Sequence, residues 1–148
     1  MRDVVMDNNG NQPKGWDEPI NETLYKRAQS LFKEMFLLED RVFQRCVKPS
    51  TAVGHPELII FCDGSGKAYG AAAYIRWELS GGSVSCHLLC SKNRIAPTRQ
   101  LSIPRLELCG PVVASRVRST IENEMQLKFQ KVIHVTDSSI VRAQIQKE

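Results

Sequence analysis

No stretch of this 148-residue sequence approaches the ~20 consecutive apolar residues of a membrane span, so no membrane-crossing helix is expected. The N-terminus offers no apolar segment either. Arg2, Asp3 and Asp7 interrupt it, and nothing there resembles a signal peptide. Charge of one sign is also missing: 20 Lys and Arg stand against 16 Asp and Glu, a net charge of +4. That balance permits a nucleic-acid partner without demanding one.

Paired cysteines are lacking as well. The five cysteines are odd in number and lie mostly among apolar residues. They read as reduced core residues of an intracellular protein rather than a disulfide set. Cys86, His87 and Cys90 lack Cys-x-x-Cys spacing, and no second ligand pair follows, so zinc is not expected. Val84, Cys86, Leu88 and Cys90 instead alternate as along one strand face. A nucleotide phosphate loop is absent too. Gly64-Ser65-Gly66-Lys67 would need glycine at the place of Phe61 and Ser or Thr at that of Ala68.

What is present suffices for one domain with an appended helix, since 42% of residues are hydrophobic. Residues 1–15 are polar and are expected to form a disordered arm. Residues 16–50 form a connecting helical segment, with Asn21 as N-cap. Leu24, Ala28, Leu31, Met35 and Leu38 recur at helical spacing as far as about Glu39. Met35 and Phe36 are expected to make core contacts. Lys48-Pro49-Ser50 and Gly54-His55-Pro56 mark a linker.

The main domain is expected over 57–148. Leu58 to Phe61 suits a doubly buried strand, and it delivers Asp63 to its C-terminal end. Gly64 to Gly66 turn the chain, and Tyr69 to Trp77 returns as the second arm of a hairpin. Gly81-Gly82 turns it again into a third strand, Ser83 to Cys90. Lys92 to Leu101 then reads as a loop carrying Lys92, Arg94 and Arg99. It is either a solvated loop or a phosphate contact.

Ser102 caps a helix expected from Ile103 to about Met125, with Pro104 in its first turn. Leu106, Gly110, Val113, Val117 and Ile121 make its apolar stripe, and Glu107 lies one position off that stripe. Pro111 lies inside this helix. It removes one N–H and presses on the carbonyl of Glu107, at a cost of ~3 kcal/mol unless the helix kinks. Lys131 to Val135 is a fourth strand, free to lie parallel to the first, and Thr136-Asp137-Ser138 follows at its end. Ser138 or Ser139 can cap a last helix from Ile140.

Read alone, Glu107 is an ordinary first-turn acid and Asp137 a capping residue. Read together, Asp63, Glu107 and Asp137 converge if the first and fourth strands are neighbours. Three carboxylates so placed repel unless a divalent cation neutralises them. All-oxygen ligands favour Mg²⁺ or Mn²⁺. Two such ions ~4 Å apart support phosphodiester hydrolysis.

The ordered motifs resemble the ribonuclease H fold, and within it the segment of BEL/Pao-type retrotransposon polyproteins that follows the reverse transcriptase. The residues that carry this are Gly15-Trp16-Asp17-Glu18-Pro19, Phe61-Cys62-Asp63-Gly64-Ser65, Ala68-Tyr69-Gly70-Ala71, Ser91-Lys92-Asn93-Arg94-Ile95-Ala96-Pro97, Ile103-Pro104-Arg105-Leu106-Glu107-Leu108-Cys109-Gly110 and Val135-Thr136-Asp137-Ser138. The resemblance implies an α/β domain with a mixed sheet of order 3-2-1-4, C-terminally truncated, behind an N-terminal amphipathic helix. It implies catalytic, metal-holding Asp63, Glu107 and Asp137, with two Mg²⁺ or Mn²⁺ ions at a complete site. Lys92, Arg94, Arg99 and Arg105 would contact nucleic acid, with the Pro97–Arg105 stretch shaping that surface.

The implied partners are an RNA–DNA hybrid, whose RNA strand such enzymes cut, and the upstream reverse transcriptase domain. The implied place is the cytoplasm, or a virus-like particle of an active element.

The family's fourth carboxylate would follow a fifth strand, so the set here is expected to be incomplete and the chain inactive, with its fourth strand an open edge that promotes association. Gly64 stands where these elements more often carry Ala, which reads as a mild change. The alternative is a non-catalytic nucleic-acid-binding or interaction module, or a decayed element remnant. Relatives of this region are sometimes labelled a retrotransposon peptidase family. Asp63-Gly64-Ser65 and Asp137-Ser138-Ser139 both miss the Asp-Thr/Ser-Gly order that an aspartic peptidase needs.

Overall fold

The computed structural model describes residues 17–42, 44–97 and 102–146. The expected arm at 1–15, Trp16 and Arg99 lie outside these. The chain divides into two compact units, 1–44 and 45–148.

In the first unit, α1 spans Glu22–Phe36. Asn21 caps it, its side chain accepting the Leu24 N–H at 2.9 Å. That bond satisfies one of the amides a helix start leaves unpaired. The apolar stripe forms, but no residue of α1 is buried, and Phe36 is 73% exposed. The expectation of core contacts at Met35 and Phe36 is therefore corrected.

The second unit is a four-stranded mixed sheet of order β3-β2-β1-β4. Its strands are β1 (Ala52–Gly64), β2 (Ala68–Leu79), β3 (Val84–Ile95) and β4 (Lys131–Val135). β1 pairs antiparallel with β2, β2 antiparallel with β3, and β1 parallel with β4. The order is that implied by the ribonuclease H resemblance, and β4 occupies one edge of it.

The linker expected at Gly54-His55-Pro56 is instead the first half of β1. The chain absorbs these residues through a register shift between Val53 and Glu57, with Gly54 at φ 69°. Glycine tolerates that left-handed backbone without a Cβ penalty, and a bulge accepts the proline that regular pairing rejects. Pro56 is fully buried, and its carbonyl accepts the Gln130 N–H at 2.8 Å, which starts β4 in register.

One face of the sheet is apolar and covered. Leu58, Ile60 and Cys62 of β1 and Ala71 and Ala73 of β2 pack with Val113, Ala114, Val117 and Ile121 of the helix α2 (Ile103–Glu124). Every residue of the stripe read from the sequence is buried, and Ala114 joins them. The helix runs through Pro111 to Glu124, so the proline does not end it. The Glu107 carbonyl simply lacks its usual partner, because residue 111 has no N–H. A short helix α3, Ser139–Ile145, follows β4, and its Val141 is buried.

β3 departs most from expectation. It continues to Ile95, so Lys92 and Arg94 belong to a strand and not to a loop. Lys92 pairs with Ala71 and Arg94 with Tyr69, because β2 extends far enough to offer them partners. The register shifts between Ala73 and Tyr74, whose partners are Cys90 and Leu88, leaving Leu89 unpaired. Val84, Cys86 and Leu88 therefore keep one alternation, while Cys90 falls out of phase with them.

All five cysteines are free, as read from their odd number. Only Cys62 is buried, Cys109 is half-buried, and Cys46, Cys86 and Cys90 are exposed, so most are not core residues. An edge strand such as β3 has a neighbour on one side only, which leaves Cys86 and Cys90 open.

Candidate functional site

The parallel pairing of β1 and β4 positions two of the acids. Phe61 is the partner of Val135; β1 runs on through Asp63, and Asp137 lies two residues past the end of β4. Both aspartates are exposed, and both line one open cavity of about 530 Å³. Phe61, Tyr69, Gly70, Asn93 and Thr136 complete much of its wall. Cys62 lies beneath, its thiol donating to the Val135 carbonyl at 3.5 Å. Burial first, then the Asp63 and Asp137 charges, push that thiol above its ordinary pKa, while a hydrogen bond with Thr136 opposes them. Both negative charges thus act on one sulfur between the strand ends.

Glu107 reaches the same end of the sheet from α2. The approach is set by two glycines. A Cβ built on Gly64 would collide with the Leu106 carbonyl and stand 3.1 Å from the Glu107 Cα. A Cβ on Gly110 would stand 2.9 Å from the Asp63 carbonyl oxygen and 3.2 Å from its nitrogen. The backbones of β1 and α2 therefore meet with no side chain between them, and Glu107 sits beside the residue that follows Asp63. Alanine at position 64 would be a severe change in this chain, which the sequence reading treated as mild.

The Glu107 carboxylate is half-buried and does not line the cavity of the aspartates. Its Oε2 accepts the Ser138 hydroxyl at 2.8 Å. Ser138 Oγ in turn accepts the Val141 N–H at 3.2 Å, which caps α3. Ser138 was legible only as a helix cap. Its second role needed the contact between α2 and the β4–α3 junction, 31 residues apart.

As the side chains stand, no group of three or more His, Cys, Asp or Glu among the described residues is placed to hold a metal ion. The fold thus brings two carboxylates to one cavity and holds the third on the residue next to Asp137. Their donor chemistry, oxygen throughout, remains that of a hard dication. Cys86 and His87 point to opposite faces of β3, since their partners Arg76 and Ile75 are adjacent on β2. His87 shares a 2.9 Å hydrogen bond with Ser85.

The basic residues divide. Lys92 and Arg94 lie exposed on β3 and Arg105 on the first turn of α2. Among the described residues no helix is long and apolar enough to cross a membrane.

Searches among curated proteins and among solved structures returned no match. A family model described as "Pao retrotransposon-like RNaseH-like domain" matches residues 4–138, a span that includes the whole sheet, α2 and all three acids. With that span and a sheet of order β3-β2-β1-β4 under a single long helix, the chain belongs to the family of Pao retrotransposon-like RNaseH-like domains.

Proposed function

We propose that this domain binds an RNA–DNA hybrid and that Asp63, Glu107 and Asp137 form its centre for hydrolysing the RNA strand. The observation that carries the reading is the matched exit of Asp63 and Asp137 from paired parallel strands into one cavity, with Glu107 packed beside Gly64. The three acids would hold Mg²⁺ or Mn²⁺. When bound, such ions activate water and stabilise a leaving oxygen.

The chain's own residues supply position and charge. Gly64 and Gly110 let α2 approach β1 closely enough for Glu107 to share the strand ends. Ser138 fixes the direction of the Glu107 carboxylate. Lys92, Arg94 and Arg105, together with Arg99, offer cations for backbone phosphates. The reading places the domain inside the cell, in a polyprotein that also carries a reverse transcriptase.

The test is cleavage of an end-labelled RNA–DNA hybrid with Mg²⁺ by the chain and by Asp63→Asn. Cleavage lost in Asp63→Asn supports the reading, and cleavage that survives the substitution overturns the assignment of the acids.

A second reading, hybrid binding without cleavage, is favoured by one observation: Glu107 is engaged by Ser138, and no three-ligand group forms among the described residues. Binding by the chain with no Mg²⁺-dependent cleavage would select it.

A further inference from the structure

A second cavity, of about 240 Å³, lies between β3 and α2 and carries three arginines, Arg94, Arg105 and Arg116, with no carboxylate in its lining. We infer that this cavity is a subsite for the nucleic-acid backbone, one that takes successive phosphates of a strand along α2. The inference rests on the nucleic-acid reading above and adds to it a location, a third arginine and a direction.

The register shift in β3 puts Arg94 there. Beyond the unpaired Leu89, Arg94 pairs with Tyr69, whose β2 face also carries the buried Ala71 and Ala73 beneath α2. Without that shift the alternation would send Arg94 to the opposite face. On α2, Arg105 and Arg116 are eleven residues apart, three turns of a helix with 3.6 residues each. They fall on one side of it, ~16 Å apart along the axis.

Ion pairs among the described residues engage Lys26, Arg76 and Arg118, and none engages these three. Three guanidinium groups with no anion among them form a local positive field that a phosphate polyanion relieves.

The three arginines come from two elements and, on α2, from positions ~16 Å apart along the axis, so the row follows the helix and suits more than one phosphate of a strand. The floor between the arginines is apolar, with Leu108 half-buried and Val112 50% exposed. Sugars and base edges suit such a floor, and a solvated ion does not. Tyr69 lines both this cavity and the cavity of Asp63 and Asp137, so a strand can pass from one to the other.

The experiment is a titration of the full chain with a fluorescein-labelled RNA–DNA hybrid, followed by anisotropy in Ca²⁺ over a salt series. Arg116→Ala is expected to weaken binding and to flatten the slope of log K against log salt by ~1, with Arg116→Lys restoring most of it. Arg118→Ala removes the same charge from the same helix, at a residue already paired with Glu122, and is expected to bind as the parent does. Equal slopes for Arg116→Ala and Arg118→Ala, with the parent still binding, would overturn the subsite and leave the nucleic-acid reading intact. A parent chain that binds no hybrid at any salt would overturn both. Inorganic phosphate is the further arm. If it raises the melting temperature of the parent but not of Arg116→Ala, while hybrid binding ignores the substitution, the cavity holds a free anion and the backbone assignment fails.

Discussion

The Ser138 hydroxyl donates to Glu107 Oε2 at 2.8 Å, and the same oxygen caps α3 by accepting the Val141 N–H. One side chain thus ties α2 to the end of β4. Ser138→Ala removes both bonds. Loss of the cap alone costs ~1 kcal/mol, and a lost hydrogen bond to a charged group adds to it. Urea unfolding should show a lower midpoint with an unchanged slope, and Ser138→Asp should recover the cap while placing a like charge beside Glu107. A midpoint for Ser138→Ala equal to that of the parent would refute the tie.

Gly110 gives a prediction whose sign is diagnostic. In a helix interior, Gly→Ala ordinarily stabilises by up to ~1 kcal/mol. Here the added methyl would meet the Asp63 carbonyl oxygen at 2.9 Å. Gly110→Ala should therefore destabilise, by ~1–3 kcal/mol as overpacking does. A gain in thermal stability would show that β1 and α2 are not in contact there.

His134 shares its sheet face with its partner Ile60 and looks toward α2. Desolvation first, and then the Arg118 charge, hold its imidazole below the usual value of 6.5, with Glu122 opposing. A depressed folded pKa means that the unfolded chain takes up the proton first as pH falls. The contribution to stability is present above 6.5 and is lost as pH drops through the folded pKa. Melting temperature should fall on acidification from neutrality, and His134→Gln should flatten that fall. A fall as steep in His134→Gln would assign it to other groups.

Much of the fold was legible because its signals were local. Lys131–Val135, the Ser102 boundary and the apolar stripe of α2 follow from periodicity and capping residues, which act within a few positions. The helix between them allowed β4 to lie parallel to β1, while their adjacency was implied by the ribonuclease H resemblance. What escaped the sequence depended on distant partners. Lys92 and Arg94 look like loop residues until β2 pairs with them, and Gly54-His55-Pro56 looks like a linker until a bulge absorbs it. Asp63 and Asp137 could be placed by counting from the strand ends. The Ser138–Glu107 bond could not, because no local rule relates residues 31 positions apart. Gly64 showed the same limit: its neighbour across the gap is the backbone of Leu106, invisible in a motif.

Asp63, Glu107 and Asp137 are proposed to share a hard dication, and Mn²⁺ binding tests that without requiring turnover. Titration of the full chain, followed by the electron spin resonance signal of free Mn²⁺, should show binding that Asp63→Asn and Asp137→Asn each weaken by at least ~10-fold, the loss expected even for an outer partner of a metal. Equal Mn²⁺ affinity in the parent and both variants, with their folds intact, would contradict it.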